Sequence, residues 1–402
     1  MNPTTPKCPV VQWDYSAGDC PVLSSYQRVT AVAENGPLLE VEASRGYPSY
    51  LLATKFSTIT EVLQDTERFS SSSVVAIEPD PPYKWIPEML DPPEHTAWRK
   101  LLAPYFTPTA VSRYENRIRE RCVSLIESIA DEETVDFTNR FARKFPTSIF
   151  LELFGLPQED LDQFMQWEEL IVHATSQSDP DRSKMMGAMN DVTGYFAELI
   201  ARRRADPALI GDDLLSSAIN WTVAGEQVKD ADLLGLCLFV FIAGLDTVAA
   251  QLAWMFHHLA SHDGHRQRLI DNPDVVPQAV EEYLRAYPIV VTGRKATVDT
   301  VVAGVPINEG QTIMLPLPAA GRDSEQYSEA HVVDFDRKIR RHIAFGVGPH
   351  RCLGSHLARL ELQIALTEWH RRIPDYSLVQ TDITEHTSGT WGIDQLDLRI
   401  GK

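Results

Sequence analysis

Leu233 to Leu245 is an unbroken apolar run of 13 uncharged residues, closed by Asp232 on one side and Asp246 on the other. As a helix it would be about 20 Å long, short of the roughly 30 Å hydrocarbon core of a membrane. A helix apolar on every side must be wrapped by the rest of its own chain. The sequence therefore predicts a buried core helix and no membrane anchor. The chain can supply the wrapping. At 402 residues it should hide roughly three quarters of its unfolded surface, enough to enclose a large cofactor.

Composition excludes several classes. A chain with 44% hydrophobic and 23% charged residues is ordinary for a globular protein and is neither disordered nor fibrous. A net charge of −19 disfavours nucleic acid and anionic membranes as partners, since both attract basic surfaces. The N-terminus lacks a basic segment followed by an apolar one, so no signal peptide is expected. Cys8, Cys20, Cys122, Cys237 and Cys352 are odd in number and scattered. They form neither a disulfide framework nor a structural zinc site. A cytoplasmic location is expected, where a cysteine with a role acts as a thiolate.

No repeat or flexible linker divides the chain, so one large domain over 1–402 is expected. Its first 25 residues are Pro-rich and predicted to run extended over the surface. Helical patterning dominates from about 95 to 290, with turns near Pro146, Pro157, Pro180, Pro207 and Pro273. Residues 297–317 read as strands around a turn at PINEG. Residues 321–352 show little periodicity, and such long irregular stretches tend to be functional. A helix buried on most sides then starts near Cys352, with stripes at Leu353, Leu357, Leu360 and Ile364 and at Leu362, Leu366 and Trp369. The fold class is mainly α with a small β region.

The segment FGVGPHRCLGSHLARLEL places Cys352 where a glycine-rich loop enters that helix. A helix N-terminus favours anions, and hence a thiolate. Gly346, Gly348 and Gly354 clear side chains from around it, so that something flat and large can approach, with Phe345 covering one side. An arbitrary cysteine is most often buried and inert. A phosphatase-like loop would need arginine where Ala358 stands. A zinc site from His350, Cys352 and His356 lacks typical spacing and a fourth ligand. An axial haem ligand suits a single thiolate flanked by glycines.

Phe345, Gly348, His350, Cys352 and Gly354 together spell F-x-x-G-x-H-x-C-x-G. This pattern resembles the haem-binding loop of the cytochromes P-450, and three further motifs follow in that family's order. The resemblance covers about residues 30 to 400 and is nearest to soluble bacterial members, in particular those that hydroxylate camphor and other monoterpenoids. It implies a single domain enclosing haem b, with Cys352 on the iron.

AGLDT, Ala243 to Thr247, lies near the end of the apolar run. Gly244 costs about 1 kcal/mol relative to Ala inside a helix. Asp246 is expensive in an apolar setting unless paired or hydrated. Thr247 can bond to the carbonyl of Ala243 and loosen the helix. Taken alone, a polar bump with Asp246 capping or paired to a basic residue explains these residues as well as function does. Beside a haem, the resemblance implies that Ala243 and Gly244 leave room for O2. It makes Thr247 and Asp246 the alcohol and acid that direct protons.

Glu282 and Arg285 sit at i, i+3 in EEYLR, a spacing that usually marks a surface ion pair worth a few tenths of a kcal/mol. The resemblance makes them, with Arg337, a buried structural cluster. His95 and Arg99 share a helix face at i, i+4 after Pro92 and Pro93. With Arg294 and His350, they match the residues that hold the haem propionates. Tyr83, Trp85, Val290, Val291, Thr292, Thr390 and Trp391 match pocket positions, with Tyr83 or Thr292 as an orienting hydrogen bond. They contain no cation, which points to a small apolar substrate, a terpenoid by resemblance.

The chain carries no flavin or iron–sulfur motif. The resemblance therefore implies electrons from NAD(P)H through a flavoprotein reductase and a ferredoxin, docked on Arg99, Lys100, Arg113, Arg117, Arg351 and Arg359. The expected protein is a monomeric monooxygenase. The alternatives are a peroxide-driven haem-thiolate enzyme, a non-catalytic haem protein acting as gas sensor or recruitment scaffold, and a metal-free carrier of hydrophobic ligands.

Overall fold

The structure, a computed structural model, describes residues 8–44, 47–175, 177–338 and 341–401. The predicted core helix runs over Asp230–Ser261, 32 residues. It does not stop at Asp246, and its most apolar window has a mean hydropathy of 2.2. By length and composition it could cross a membrane, which the 13-residue run alone suggested it could not. Here it is the axis of the protein. Leu233, Phe241 and Leu245 enter one apolar cluster with Phe150, Phe164 and Phe196. Val248, Trp254 and Phe256 enter a second with Phe137, Trp369 and Tyr283. Between these two clusters, at Ala243, Gly244, Thr247 and Val248, the helix borders a cavity.

Helices Glu94–Phe106, Lys144–Leu153, Leu161–Val172, Ser183–Ala205 and Val276–Ala286 fill out the expected helical half. Pro146 does not end a helix as predicted. It lies in the first turn of Lys144–Leu153, where its missing N–H has no partner to lose. Helix Ser355–Arg372 begins three residues after Cys352 and buries Leu362, Ile364, Leu366 and Trp369.

The largest sheet has the order Val10–Val11, Leu38–Val41, Tyr50–Ala53, Thr312–Pro316, Val291–Ala296, Phe69–Ser70. Ile313 sits between Arg294 and Leu51 in register, so Arg294 projects from a central strand. Sequence patterning placed these strands slightly wrong. The sheet resumes at Val291, before residue 297, and a hairpin pairs Thr300–Val302 with Val305–Ile307. Its turn is Ala303–Gly304, both at positive φ (50° and 81°), as a tight hairpin requires. Pro306 and Ile307 are therefore strand, and only the end of PINEG turns. The N-terminal segment is also more ordered than expected. From residue 8 it contributes Val10–Val11 to the large sheet and Ala17–Pro21 to another beside Thr384–Thr387. Residues 1–7 lie outside the described residues.

The irregular stretch 321–352 is pinned from below. Arg285 donates to both carboxylate oxygens of Glu282 (3.0 and 2.6 Å) and to the carbonyls of Gly321, Ala330 and Val332. Arg337 joins Glu282 at 3.1 Å and bonds the carbonyls of Ser328, Glu329 and Val332. Glu282 and Arg285 are buried. This is the structural cluster, not a surface pair. It supplies backbone carbonyls of a loop with donors that no helix or sheet provides.

Candidate active site

A cavity of about 440 Å³ lies between the long helix and the cysteine loop. The strand residues Val290 to Thr292 and Arg294, and Thr390, close a third side. Its lining is mostly apolar, the usual character of a small-molecule site.

The loop presents Cys352 as the sequence predicts. The Cys352 N–H donates to the Phe345 carbonyl at 2.8 Å, and that of Gly346 to Ile343 at 2.8 Å. Gly346 and Gly348 hold φ of 69° and 80°, the left-handed region. A Cβ on Gly348 would also stand 2.7 Å from the Leu63 carbonyl. Phe345, Gly346, Cys352 and Gly354 all reach the cavity. The Cys352 thiol is accessible only because it faces that cavity, while protein surrounds it on the other sides. Burial pushes its pKa up, against the Gly354 N–H and the Arg99 charge, which pull it down. The helix end alone therefore does not make the thiolate; a coordinated metal ion would.

Around the rim stand cations with unfilled donors. Arg294 is fully buried, and among the described residues its guanidinium makes a single hydrogen bond, to the Gly293 carbonyl at 2.7 Å. Arg99 donates to the Arg351 carbonyl at 2.6 Å and also faces the cavity. His350 bonds Ser71 Oγ at 3.1 Å, while its Nδ1 is buried without a hydrogen bond, 3.8 Å from Glu88. His95 differs from expectation. It does not line the cavity but stacks behind His350, and neither of its ring nitrogens has a partner among the described residues. Buried donors of this kind are costly unless an anion meets them. A thiol on one face, cations at the edge and a small-residue helix on the other face fit a haem with its two propionates.

On the helix side, Thr247 Oγ donates to the Ala243 carbonyl at 2.9 Å, as the spacing implies. Ala243, Gly244 and Thr247 border the cavity, and a Cβ on Gly244 would meet only Phe150, at 3.5 Å. Packing does not demand that glycine, so its effect is to leave space beside the cavity. Asp246 is buried and turned away from the cavity. Its Oδ1 meets His173 Nε2 at 2.8 Å. Burial opposes the charge of this carboxyl, but His173 outweighs it and holds the pKa below the usual range.

Of the pocket residues, Tyr83, Trp85, Val290, Val291 and Thr292 line the cavity. Trp391 does not. It is buried in the core, with Tyr26 edge-on at 5.1 Å and Trp13 stacked at 6.5 Å. Its neighbour Thr390 does line the cavity as expected, because adjacent residues in extended chain point to opposite sides. The Tyr83 hydroxyl is engaged by Glu78, which also pairs with Arg182. The reading that the pocket segments bring no cation thus needs correction, for Arg182 is in the lining, neutralised by Glu78. Arg182, Glu78, Glu88 and His173 carry no local motif and escaped the sequence reading.

The docking face is smaller than the sequence suggested. Arg99 turns inward, while Arg117 pairs with Glu152 and Arg359 with Glu281. Lys100 and Arg113 are exposed and Arg351 half-buried.

Comparison with known proteins agrees with this geometry. The profile of the cytochrome P450 family matches residues 36–372. The chain is 34% identical, over 92% of its length and 88% of the relative's, to a probable cytochrome P450 127A1 of Sinorhizobium fredii. It is 32% identical to the mycinamicin IV hydroxylase/epoxidase of Micromonospora griseorubida, over 87% and 90% of the two chains. Among solved structures it resembles CYP101J2 (TM-score 0.86, 27% identity, all of both chains). It also resembles a mutant of P450 EryK in complex with erythromycin B (TM-score 0.85, 30% identity, 96% and 98% covered).

Proposed function

The chain belongs to the cytochrome P450 family and is an oxygenase that binds haem b, and we propose that it hydroxylates or epoxidises a compact, uncharged, lipophilic substrate, of which a terpenoid is the nearest type. Haem bound in the cavity supplies an iron centre that activates O2. The chain's residues do the rest. Cys352 provides the sulfur ligand and its charge. Arg99, Arg294 and His350 hold the propionates, with His95 behind them. Thr247 and Asp246 handle protons on the long helix. The apolar wall of Trp85, Val290, Val291 and Thr390 positions a lipophile and excludes water.

The observation that carries this reading is the convergence of Cys352 and Thr247 on one cavity from opposite elements. Support for a neutral substrate comes from the Glu78–Arg182 pair, in which the charge of Arg182 is already balanced. With Tyr83 bonded to Glu78, the orienting contact falls to Thr292 or to Trp85 Nε1, which is buried without a partner. Electrons come from a ferredoxin and its NAD(P)H-linked flavoprotein reductase, docked near Lys100, Arg113 and Arg351. We place the protein in the cytoplasm as a monomer. The peroxide-driven and non-catalytic alternatives are disfavoured by the acid and alcohol together on the helix.

The test is spectral. The reduced carbonyl complex should show the long-wavelength Soret band of a thiolate-ligated haem, and Cys352→His should abolish it. A band that survives the substitution removes Cys352 from the iron. NADH-driven formation of an oxygenated product with surrogate redox partners would separate an enzyme from a sensor.

A further inference from the structure

Behind Asp246 the structure gathers carboxylates that its cations do not balance. His173 lies at the end of helix Leu161–Val172, with 7% of its side chain exposed. Its Nε2 meets Asp246 Oδ1 at 2.8 Å and stands 3.8 Å from Glu168 Oε1. Glu168 and Asp246 are both buried. Among the described residues, Glu168 Oε1 and Asp246 Oδ2 have no hydrogen-bond partner. Two orphaned carboxylate oxygens beside one ring nitrogen are costly unless a cation meets them.

The distances suit a metal ion. One ligand atom each from Glu168, His173 and Asp246 lie within 4.8 Å of one another. Zinc takes nitrogen and oxygen ligands at about 2.0–2.2 Å, so its tetrahedral ligands stand about 3.4 Å apart. That spacing falls between the 2.8 and 3.8 Å observed. The groups that would orient the ligands are also in place. His173 Nδ1 faces Glu169 Oε2 at 3.2 Å, the carboxylate contact that fixes the ring of a metal-bound histidine. Arg143 donates to Glu168 Oε2 from Nη2 at 2.6 Å and from Nε at 3.1 Å, which leaves Oε1 for the ion. His173 is also within reach of His386 and Asp394, but those two already bond each other at 2.6 Å.

Charge sets the valence. Asp246, Glu168 and Glu169 bring three carboxylates, and Arg143, paired with Glu168 and Glu169, returns one positive charge. A protonated His173 meets one of the two negative charges that remain. A divalent ion on the neutral ring meets both.

We propose that Glu168, His173 and Asp246 form a site for a divalent metal ion, Zn²⁺ above all, with water as the fourth ligand. An imidazole among only three protein ligands disfavours Mg²⁺ and Ca²⁺, which favour all-oxygen shells of six or more. The ion ties the end of one helix to the middle of another. Ala174 and Thr175, next in the chain, line the cavity, so it also stiffens that wall. The site stands apart from the haem chemistry proposed above and does not depend on it.

Isothermal titration of the haem-loaded protein, first stripped with a chelator, should show one tightest Zn²⁺ site per chain. The thermal midpoint should rise with zinc concentration, because the ion binds the folded chain. Mg²⁺ and Ca²⁺ at equal concentration should do neither. Glu168→Gln removes a ligand and should weaken that site at least 10-fold, with most of the thermal rise lost. Glu169→Gln changes a side chain that is 50% exposed and leaves the core intact. By loosening the His173 ring it should weaken zinc binding roughly 10–100-fold. X-ray absorption at the zinc edge should show nitrogen and oxygen neighbours at about 2.0–2.2 Å and no sulfur at about 2.3 Å. Absence of zinc binding, a sulfur neighbour from one of the cysteines, calcium bound as tightly as zinc, or wild-type affinity in both variants would overturn the site.

Discussion

His95 stacks on His350 with ring centroids 3.8 Å apart, and among the described residues neither ring nitrogen of His95 has a hydrogen-bond partner. Two imidazoles in face contact cannot both be charged cheaply. Burial holds the His95 pKa down to about 4, and the neighbouring His350 and Arg99 push in the same direction. This neutral ring backs His350, which with Arg99 and Arg294 lines the edge of the cavity where an anion would be received. It explains why the cationic rim tolerates so much burial in a chain of net charge −19.

That arrangement gives the first prediction. Arg99→Ala removes one charge-assisted contact to a propionate, worth about 1.5–3 kcal/mol. Haem should pass to an apo-acceptor roughly 10–100 times faster than from wild type. A transfer rate equal to wild type would mean that Arg99 serves only to bond the Arg351 carbonyl.

Thr247→Ala should uncouple NADH use from product. The hydroxyl of Thr247 now donates to Ala243 at 2.9 Å and must turn into the cavity to act there. Losing one positioned proton-transfer group typically costs 10²–10⁴-fold in its step. NADH should still be consumed, with hydrogen peroxide appearing in solution. Thr247→Ser keeps the hydroxyl and should stay well coupled. Equal product per NADH in Thr247→Ala would remove the residue from the mechanism.

The loop cysteine, the AGLDT turn and the Glu282–Arg285 pair were legible because each needs only residues within about ten positions. Local spacing sets their geometry whatever the rest of the chain does. His173 and Asp246 are 73 positions apart, and Glu78 and Arg182 are further still. Only tertiary packing brings these pairs together, so no local pattern announces them. Trp391 failed for a different reason. Its segment and its neighbour Thr390 were placed correctly, but along extended chain a step of one residue exchanges cavity for core, and both residues cannot face the pocket. The hairpin at Ala303–Gly304 was missed because PINEG, with Pro and Gly, is the louder turn signal. The buried state of Glu282 depends on Arg337 and on loop carbonyls that an i, i+3 spacing cannot report.

Stability should fall in mild acid, in part through His370. This ring is buried, with Nδ1 2.7 Å from the Leu366 carbonyl and Nε2 3.0 Å from the Tyr376 hydroxyl. Burial lowers its pKa to about 4. The unfolded chain, with histidine near its ordinary value of about 6.5, therefore binds the proton first. His370 contributes fully above about pH 6.5, and that contribution is lost as pH falls toward about 4. The slope is about 1.4 kcal/mol per unit at most, so about 2 kcal/mol disappears by pH 5. Urea midpoints at pH 7 and pH 5 should differ less in His370→Gln than in wild type. Equal differences would assign the acid sensitivity to other groups.

The last prediction concerns what the cavity admits. Arg182 lies in the lining at a left-handed φ of 59°, just before helix Ser183–Ala205. Glu78 meets its guanidinium and also takes the Tyr83 hydroxyl. Arg182 thus stands in the pocket with its charge already balanced, and an incoming carboxylate would have to displace Glu78 to reach it. Burying an anion without a partner is far more costly than burying a neutral ketone or alcohol of the same size. Uncharged terpenoids should therefore shift the haem to high spin better than fatty acids of equal carbon number. Glu78→Gln keeps the shape and a hydrogen-bonding group but frees the cation. A carboxylate ligand then gains a charge-assisted contact of about 1.5–3 kcal/mol, roughly 10–100-fold in Kd. Neutral ligands should change by less than about threefold, since no net charge of theirs meets Arg182. Spin-state titrations with matched acid and alcohol series measure both arms. Should fatty acids bind wild type as tightly as alcohols, or gain nothing in Glu78→Gln, Glu78 is not what keeps anions out.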